Sequence, residues 1–186
     1  RHPEILEHEL KGPLVVMGLA RSGTTKTHKV LAASGDFNWL TYWQTVNWAS
    51  VSGQPNEPLD ARIKDADDYC RWMLESSPDI KFGHPPSTFE PEEENFLTEA
   101  SLVAPVLIGF LEIPSYLKYL AAQPPTFVFE YVRDQFKYLQ WQGLADPEKP
   151  WLMKSPLYQG LELEILKVFP HARFVMPHRS PHERLP

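Results

Sequence analysis

The segment from Gly18 to Thr25 (GLARSGTT) concentrates two glycines, three hydroxyls and an arginine in eight residues. Its spacing follows the phosphate-loop pattern G-x-x-x-x-G-K-S/T, with Thr24 standing where the lysine belongs. Gly18 and Gly23 permit a tight turn, and backbone N–H groups at the head of a following helix would face an anion. Ser22, Thr24 and Thr25 add hydroxyl donors, and Arg21 offers a planar fork matched to phosphate or sulfate oxygens. The absent lysine is the one that reaches the outer phosphates of a nucleoside triphosphate, and no aspartate follows a strand to hold magnesium. The chemistry expected here is capture of a small polyanion without a metal.

Other residues could act beside such a cradle. Lys154, before Ser155 and Pro156, is a candidate for stabilising leaving-group charge, and Arg179, in His178-Arg179-Ser180, a second anion ligand. A general base would come from His84, Glu93 or Glu94. Each has a plainer reading. Glu92, Glu93 and Glu94 follow Pro91, where acids simply favour a helix dipole, and His84 between Gly83 and Pro85 reads as a loop histidine. Tyr42, Trp43, Trp48 and Trp72 read more readily as core or lid than as an acceptor pocket. His178 and His182 are separated by Pro181 and have no third ligand nearby, so a metal site is rejected.

Three strands must position these groups. Pro13–Met17 (PLVVM), Trp151–Lys154 (WLMK) and Arg173–Met176 (RFVM) are short apolar runs of the buried parallel type. Helical spacing follows the first at Lys26–Ala33 and the second at Leu157–Phe169. Strand–helix units at both ends imply a parallel sheet with right-handed crossovers, an α/β fold of the phosphate-loop type flanked by helices. Ligands of such sheets sit beyond the carboxyl ends of the strands, where all three basic loops converge. Between them, residues 36–149 are expected to form a mainly helical, proline-rich insertion on the acceptor side. Its helices are expected at Asp60–Ser76, from Pro91 to Leu97, at Ser115–Ala122 and at Phe127–Gln142. In the Asp60–Ser76 helix, Ile63, Ala66, Cys70, Met73 and Leu74 share one face.

The charge distribution agrees with that layout. The 186 residues carry a formal charge of −6, yet residues 11–35 hold +4 and residues 167–186 hold +3, with −11 between them. An acidic chain is a poor nucleic-acid coater, but two local basic patches suit a small anion. The longest apolar run, Leu102–Leu111, contains Pro105 and is far shorter than the roughly 20 residues of a membrane span. Cys70 is the sole cysteine, so no internal disulfide forms and a cytoplasmic, reducing setting is expected. The chain lacks an initiator methionine and stops where a new element should begin, which predicts one domain truncated at its C-terminal part.

These residues resemble the P-loop sulfotransferases that use 3′-phosphoadenosine 5′-phosphosulfate (PAPS), in the branch with an R-S/T-G-T-T loop. PLVVMGLARSGTTKTHKVLAASG is similar to that branch's 5′-phosphosulfate loop, including His28. PWLMKSPLYQGLELEILKVFPHARFVMPHRSP is similar to its second block, though Tyr158 stands where a histidine commonly follows. The resemblance implies that Arg21, Ser22, Gly23, Thr24 and Thr25 hold the 5′-phosphosulfate and Arg179 the 3′-phosphate. It implies a sulfotransferase moving a sulfuryl group from PAPS to a hydroxyl or amine, with Lys154 on the bridging oxygen and a base from the acidic segment. The acceptor would be a small molecule, glycan or lipid with a hydroxyl. Two rival readings are an ATP-dependent P-loop kinase and a nucleotide-binding module without turnover.

Overall fold

The computed structural model describes residues 2–109, 112–180 and 182. A 3-10 turn (Pro3–Glu7) leads to β1 (Leu14–Val16), whose residues alternate between the two faces of a sheet. Val15 and Met17 enter one core and Val16 the other, all fully buried. A central parallel strand covered on both sides needs such a continuous apolar run. The following α1 (Thr24–Ala32) packs on the Val16 face through Leu31 and Ala32.

The chain then forms β2 (Leu40–Thr41), α2 (Tyr42–Val46), α3 (Asp60–Ser76), α4 (Ile80–Gly83) and β3 (Pro91–Glu92). β2 and β3 pair antiparallel, with Leu40 opposite Glu92, and Asn38 bridges to Trp151. Two 3-10 segments, Glu94–Ser101 and Pro105–Gly109, precede α5 (Pro114–Ala121) and α6 (Phe127–Trp141). The last units are β4 (Leu152–Lys154), a 3-10 turn at Pro156–Tyr158, α7 (Glu162–Val168) and β5 (Arg173–Val175).

β4, β1 and β5 lie side by side in that order, all parallel, with Val16 level with Lys154 and with Val175. This is the expected α/β architecture, with α1 on one face of the sheet and α6 and α7 on the other. The main core lies on the second face. Phe136 stacks flat on Trp151 with ring centroids 4.1 Å apart, and Phe129 meets Tyr158 edge-on at 5.1 Å. No described helix is long and apolar enough to cross a membrane.

The sequence reading departs from the structure in three places. Pro91–Leu97 is not a helix start: Pro91 and Glu92 are captured as a strand by β2, and a 3-10 helix begins only at Glu94. The expected Leu157–Phe169 helix is broken in two, because Gly160 adopts a left-handed φ of 87° between the 3-10 turn and α7. On α3, Ala66 and Cys70 are buried as expected, but Leu74 is exposed and Arg62 is buried instead. Four of the five Arg62 N–H groups are occupied: it donates to the Asn47 carbonyl at 2.8 and 2.6 Å, to Gln142 at 2.9 Å and to Glu57 at 3.0 Å, and it stacks over Trp43. A buried guanidinium held by four hydrogen bonds can anchor a helix that an apolar stripe alone does not.

Candidate active site

The loop between β1 and α1 is shaped by its glycines. Gly18 lies at φ 150°, and a Cβ there would come within 3.3 Å of the Pro177 carbonyl, so this position sets how closely the β5 loop approaches. Gly23, the N-cap of α1, is left-handed at φ 99° and has open space where a Cβ would be. Arg21 is also left-handed at φ 65°, a conformation uncommon for a residue with a side chain. The loop carries Ser22 and Thr24 inward and Arg21 and Thr25 outward. Ser22 Oγ is buried and finds no hydrogen-bond partner among the described residues. An orphaned hydroxyl beneath an open glycine turn, at the head of a helix, fits an anion's oxygens.

The β5 loop closes the other side. Gly18, Leu19 and Ser22 form a narrow cleft of about 50 Å3 with Met176, His178 and Arg179. Met17 donates to the Val175 carbonyl at 3.0 Å and Ser155 to the Val16 carbonyl at 3.2 Å, so all three strand ends are stitched at one level. The loops that follow β1 and β5 therefore meet in space.

Lys154 ends β4 and is almost wholly buried, with its ammonium ion-paired to Glu93. Its own N–H donates to Glu94 Oε2 at 3.0 Å. Burial pushes the Glu94 carboxyl up to about 7 against the opposing pull of that N–H. Glu94 Oε1 and the Tyr158 hydroxyl face each other here, each buried and neither in hydrogen-bonding geometry with any described residue. His28, one helical turn into α1, is buried with Nε2 unpartnered. Burial, then the charges of Lys154 and Lys29, push it down to about 3, so it is neutral at physiological pH.

His84 Nε2 meets both oxygens of Glu92 at 2.8 Å. Glu92 is buried on β3, while the His84 ring is half-exposed. The Glu92 carboxylate holds the imidazole's pKa above its ordinary 6.5, opposed by burial and by the Lys154 charge. With Nε2–H donated to the carboxylate, Nδ1 keeps the lone pair that can take a proton. His84 also lies on the wall of a cavity of about 860 Å3. Tyr42 and Trp48 line that cavity too, whereas Trp43 is core and Trp72 is exposed.

The candidate residues thus fall into two adjoining groups: the cradle of Arg21 to Thr25 with Arg179, and the cluster of Lys154, Glu93, Glu94 and His84. Glu94 is turned into the protein against the Lys154 backbone, and Glu93 is occupied by the Lys154 ammonium, which leaves His84 as the candidate base facing a cavity. Glu92 is the residue that sequence reasoning passed over, because its partner is eight positions away through a strand pairing no local pattern signals. Among the described residues no three His, Cys, Asp or Glu side chains are grouped to hold a metal.

Comparison with known proteins bears on this arrangement. Residues 13–185 match a family model described as the sulfotransferase family. Sulfotransferase STF9 from Mycobacterium avium has a crystal structure similar to this chain at a TM-score of 0.74 and 27% identity, covering 97% of this chain and 46% of that one. Sulfotransferase STF1 from Mycobacterium tuberculosis H37Rv is similar at 0.73 and 27%, covering 96% and 48%. The chain spans about half the length of these relatives. No curated protein matches.

Proposed function

Since the chain belongs to the sulfotransferase family, we propose that it serves sulfuryl transfer from PAPS to the hydroxyl or amine of an acceptor. The observation that carries this reading is the register of β1 with β4, which sets Lys154 level with Val16 at the root of the cradle while its ammonium lies among Glu93 and the His84–Glu92 pair. In this reading one buried cation would serve both the anion site and the base. Bound at the cradle, PAPS would supply an activated sulfuryl group and a diphosphate leaving group.

Each residue then has a task. Backbone N–H groups of the cradle, Ser22, Thr24, Thr25 and Arg21 would hold the 5′-phosphosulfate, and Arg179 the 3′-phosphate. Lys154 provides fixed positive charge where leaving-group charge collects. Glu93 holds that ammonium in place before a ligand arrives. His84 Nδ1 takes the acceptor proton, with Glu92 fixing the tautomer and stabilising the imidazolium that forms. Residues 36–149 supply the acceptor side. Cys70, the sole cysteine, accords with a cytoplasmic setting for this reaction.

Calorimetric titration of the full-length protein tests the donor. Adenosine 3′,5′-diphosphate should bind more tightly than ATP with magnesium, and Arg21→Ala and Arg179→Ala should each weaken it by about tenfold or more, the scale of a charge-assisted hydrogen bond. Tighter binding of ATP with magnesium would favour a kinase and sink the reading. Lys154→Ala should lower turnover far more than it lowers diphosphate affinity.

A further inference from the structure

The cavity beside His84 has a wall chemistry that selects its occupant. It encloses about 860 Å3, within the range of small-molecule sites, and lies between α2, α3, α4 and the 3-10 segments Glu94–Ser101 and Pro105–Gly109. Tyr42, Val46, Met73, Ile80, Phe96 and Leu107 give it a largely apolar surface. Its polar groups are few. The Thr45 hydroxyl is spent on the Tyr42 carbonyl at 2.7 Å, and the charged or titratable side chains on the wall are His84 and Glu99, with the Tyr42 and Tyr69 phenols.

Glu99 is an exposed carboxylate on that wall, the one acid among the residues lining the cavity. No described cation lies within ion-pair distance of it, and no described side chain donates to it. Partial desolvation raises its pKa. Its position follows from the 3-10 helix that carries it. Side chains three apart eclipse in such a helix, so Phe96 and Glu99 share one face, and Glu93 stands at its N-cap. Glu93 reaches Lys154 at one end, Phe96 sits 6.0 Å from the His84 ring, and Glu99 lies further along, about 12 Å from Glu93 at about 2 Å of rise per residue. One segment therefore runs from the Lys154 ion pair, past His84, to an exposed carboxylate on the cavity wall that has no partner among the described residues.

We propose that the acceptor is a hydrophobic amino alcohol: a hydroxyl presented to His84, an apolar body filling the cavity, and an ammonium group paired with Glu99. This rests on the reading of His84 as the base for sulfuryl transfer. The transferred group forms a new S–O bond to the acceptor oxygen as the sulfur–bridging-oxygen bond breaks, the hydroxyl proton goes to His84 Nδ1, and the electron pair leaves with the diphosphate. Anionic and sugar acceptors are disfavoured for the same reason: a carboxylate would face Glu99, and a polyhydroxylated ring would lose its water to a wall that returns few hydrogen bonds.

Four probes separate the outcomes: dodecanol, its ω-amino and ω-carboxylate analogues, and methyl glucoside. Binding to the full-length protein without donor is measured calorimetrically, and transfer with labelled PAPS. The amino alcohol should bind about tenfold or more tightly than dodecanol, the carboxylate and glucoside more weakly still, and Glu99→Gln should erase the amino preference while leaving dodecanol unchanged. Equal or tighter binding of dodecanol, the carboxylate or the glucoside overturns the proposal, as does an amino preference that survives Glu99→Gln. Selective binding of the amino alcohol without transfer, in a protein that also ignores adenosine 3′,5′-diphosphate, would remove the sulfuryl-transfer reading and leave the pocket assignment standing.

Discussion

At the scale of single residues, the contact with the clearest chemical consequence is between Glu92 and His84. A half-exposed histidine on its own would protonate near 6.5; the buried carboxylate at 2.8 Å lifts that value. A base works only when neutral, so the acidic limb of the pH–rate profile should lie above 6.5, and rate should rise with pH through it. Glu92→Gln keeps the hydrogen bond but removes the charge. It should move that limb to lower pH, and the His84 ring titration followed by NMR should move with it. A limb that stays in place would assign the titration to another group. His84→Ala should lower kcat by at least about a hundredfold, the lower end for a positioned base. The sequence displayed both residues, and also the local rivals: three acids after a proline, and a histidine among prolines. What separates Glu92 as partner, Glu93 as the ion pair of Lys154 and Glu94 as a buried carboxyl is the alternation of a short strand and the turn of a 3-10 helix, and both depend on pairing with β2.

At the scale of elements, the strands and the glycine turn after β1 were legible because each is locally encoded. β1 is an apolar, β-branched run ended by Gly18, and α1 opens at Gly23, whose left-handed φ only glycine takes easily. The broken helix at Gly160 and the 3-10 segment from Glu94 were not, because acids after a proline and a leucine-rich stretch also satisfy an α-helical pattern. Gly12 was equally silent. A Cβ at this position would lie 2.3 Å from the His171 carbonyl oxygen, in backbone that cannot swing aside. The approach fixes how closely the chain entering β1 passes the chain entering β5, and the cleft between Gly18 and Arg179 lies at the far ends of those strands. Gly12→Ala should therefore cost about 1–3 kcal/mol of stability, as overpacking does. Thermal unfolding would read the loss, and an unchanged midpoint would mean that the two strands separate freely. Gly53→Ala, at an open position with φ 71°, is the control for conformational strain without a clash.

At the scale of the whole molecule, the charge pattern and the buried titratable groups act together. The loops after β1 and β5 meet at the carboxyl ends of their strands and form a mouth that carries Arg21 and Arg179, while Lys11, Lys29 and Lys167 are paired with Glu148, Glu90 and Glu164. Behind that mouth lie groups whose pKa values depart from the ordinary in opposite directions, and each has its own window. His28 is held near 3 against an ordinary 6.5, so the unfolded chain takes up a proton that the native protein refuses, and stability falls as pH drops below 6.5. Glu94 is held near 7 against an ordinary 4.5, so the native protein retains a proton the unfolded chain releases, and stability falls as pH rises from 4.5 through 7. His84, raised by Glu92, adds stability that is present below 6.5 and is lost as pH rises through its native value. Between 4.5 and 6.5 the first two oppose each other; above 6.5 His28 no longer contributes and the remaining slopes have one sign. The melting temperature should thus decline from pH 6.5 to pH 8. Glu94→Gln, which preserves an acceptor for the Lys154 N–H, should flatten that decline and raise the midpoint more at pH 8 than at pH 5. A gain of equal size at both pH values would mean that the benefit comes from packing, and that the carboxyl beside Tyr158 does not hold its proton to pH 7. Adenosine 3′,5′-diphosphate should raise the midpoint in both proteins, since Glu94 touches the sheet and the Lys154 backbone rather than the cradle.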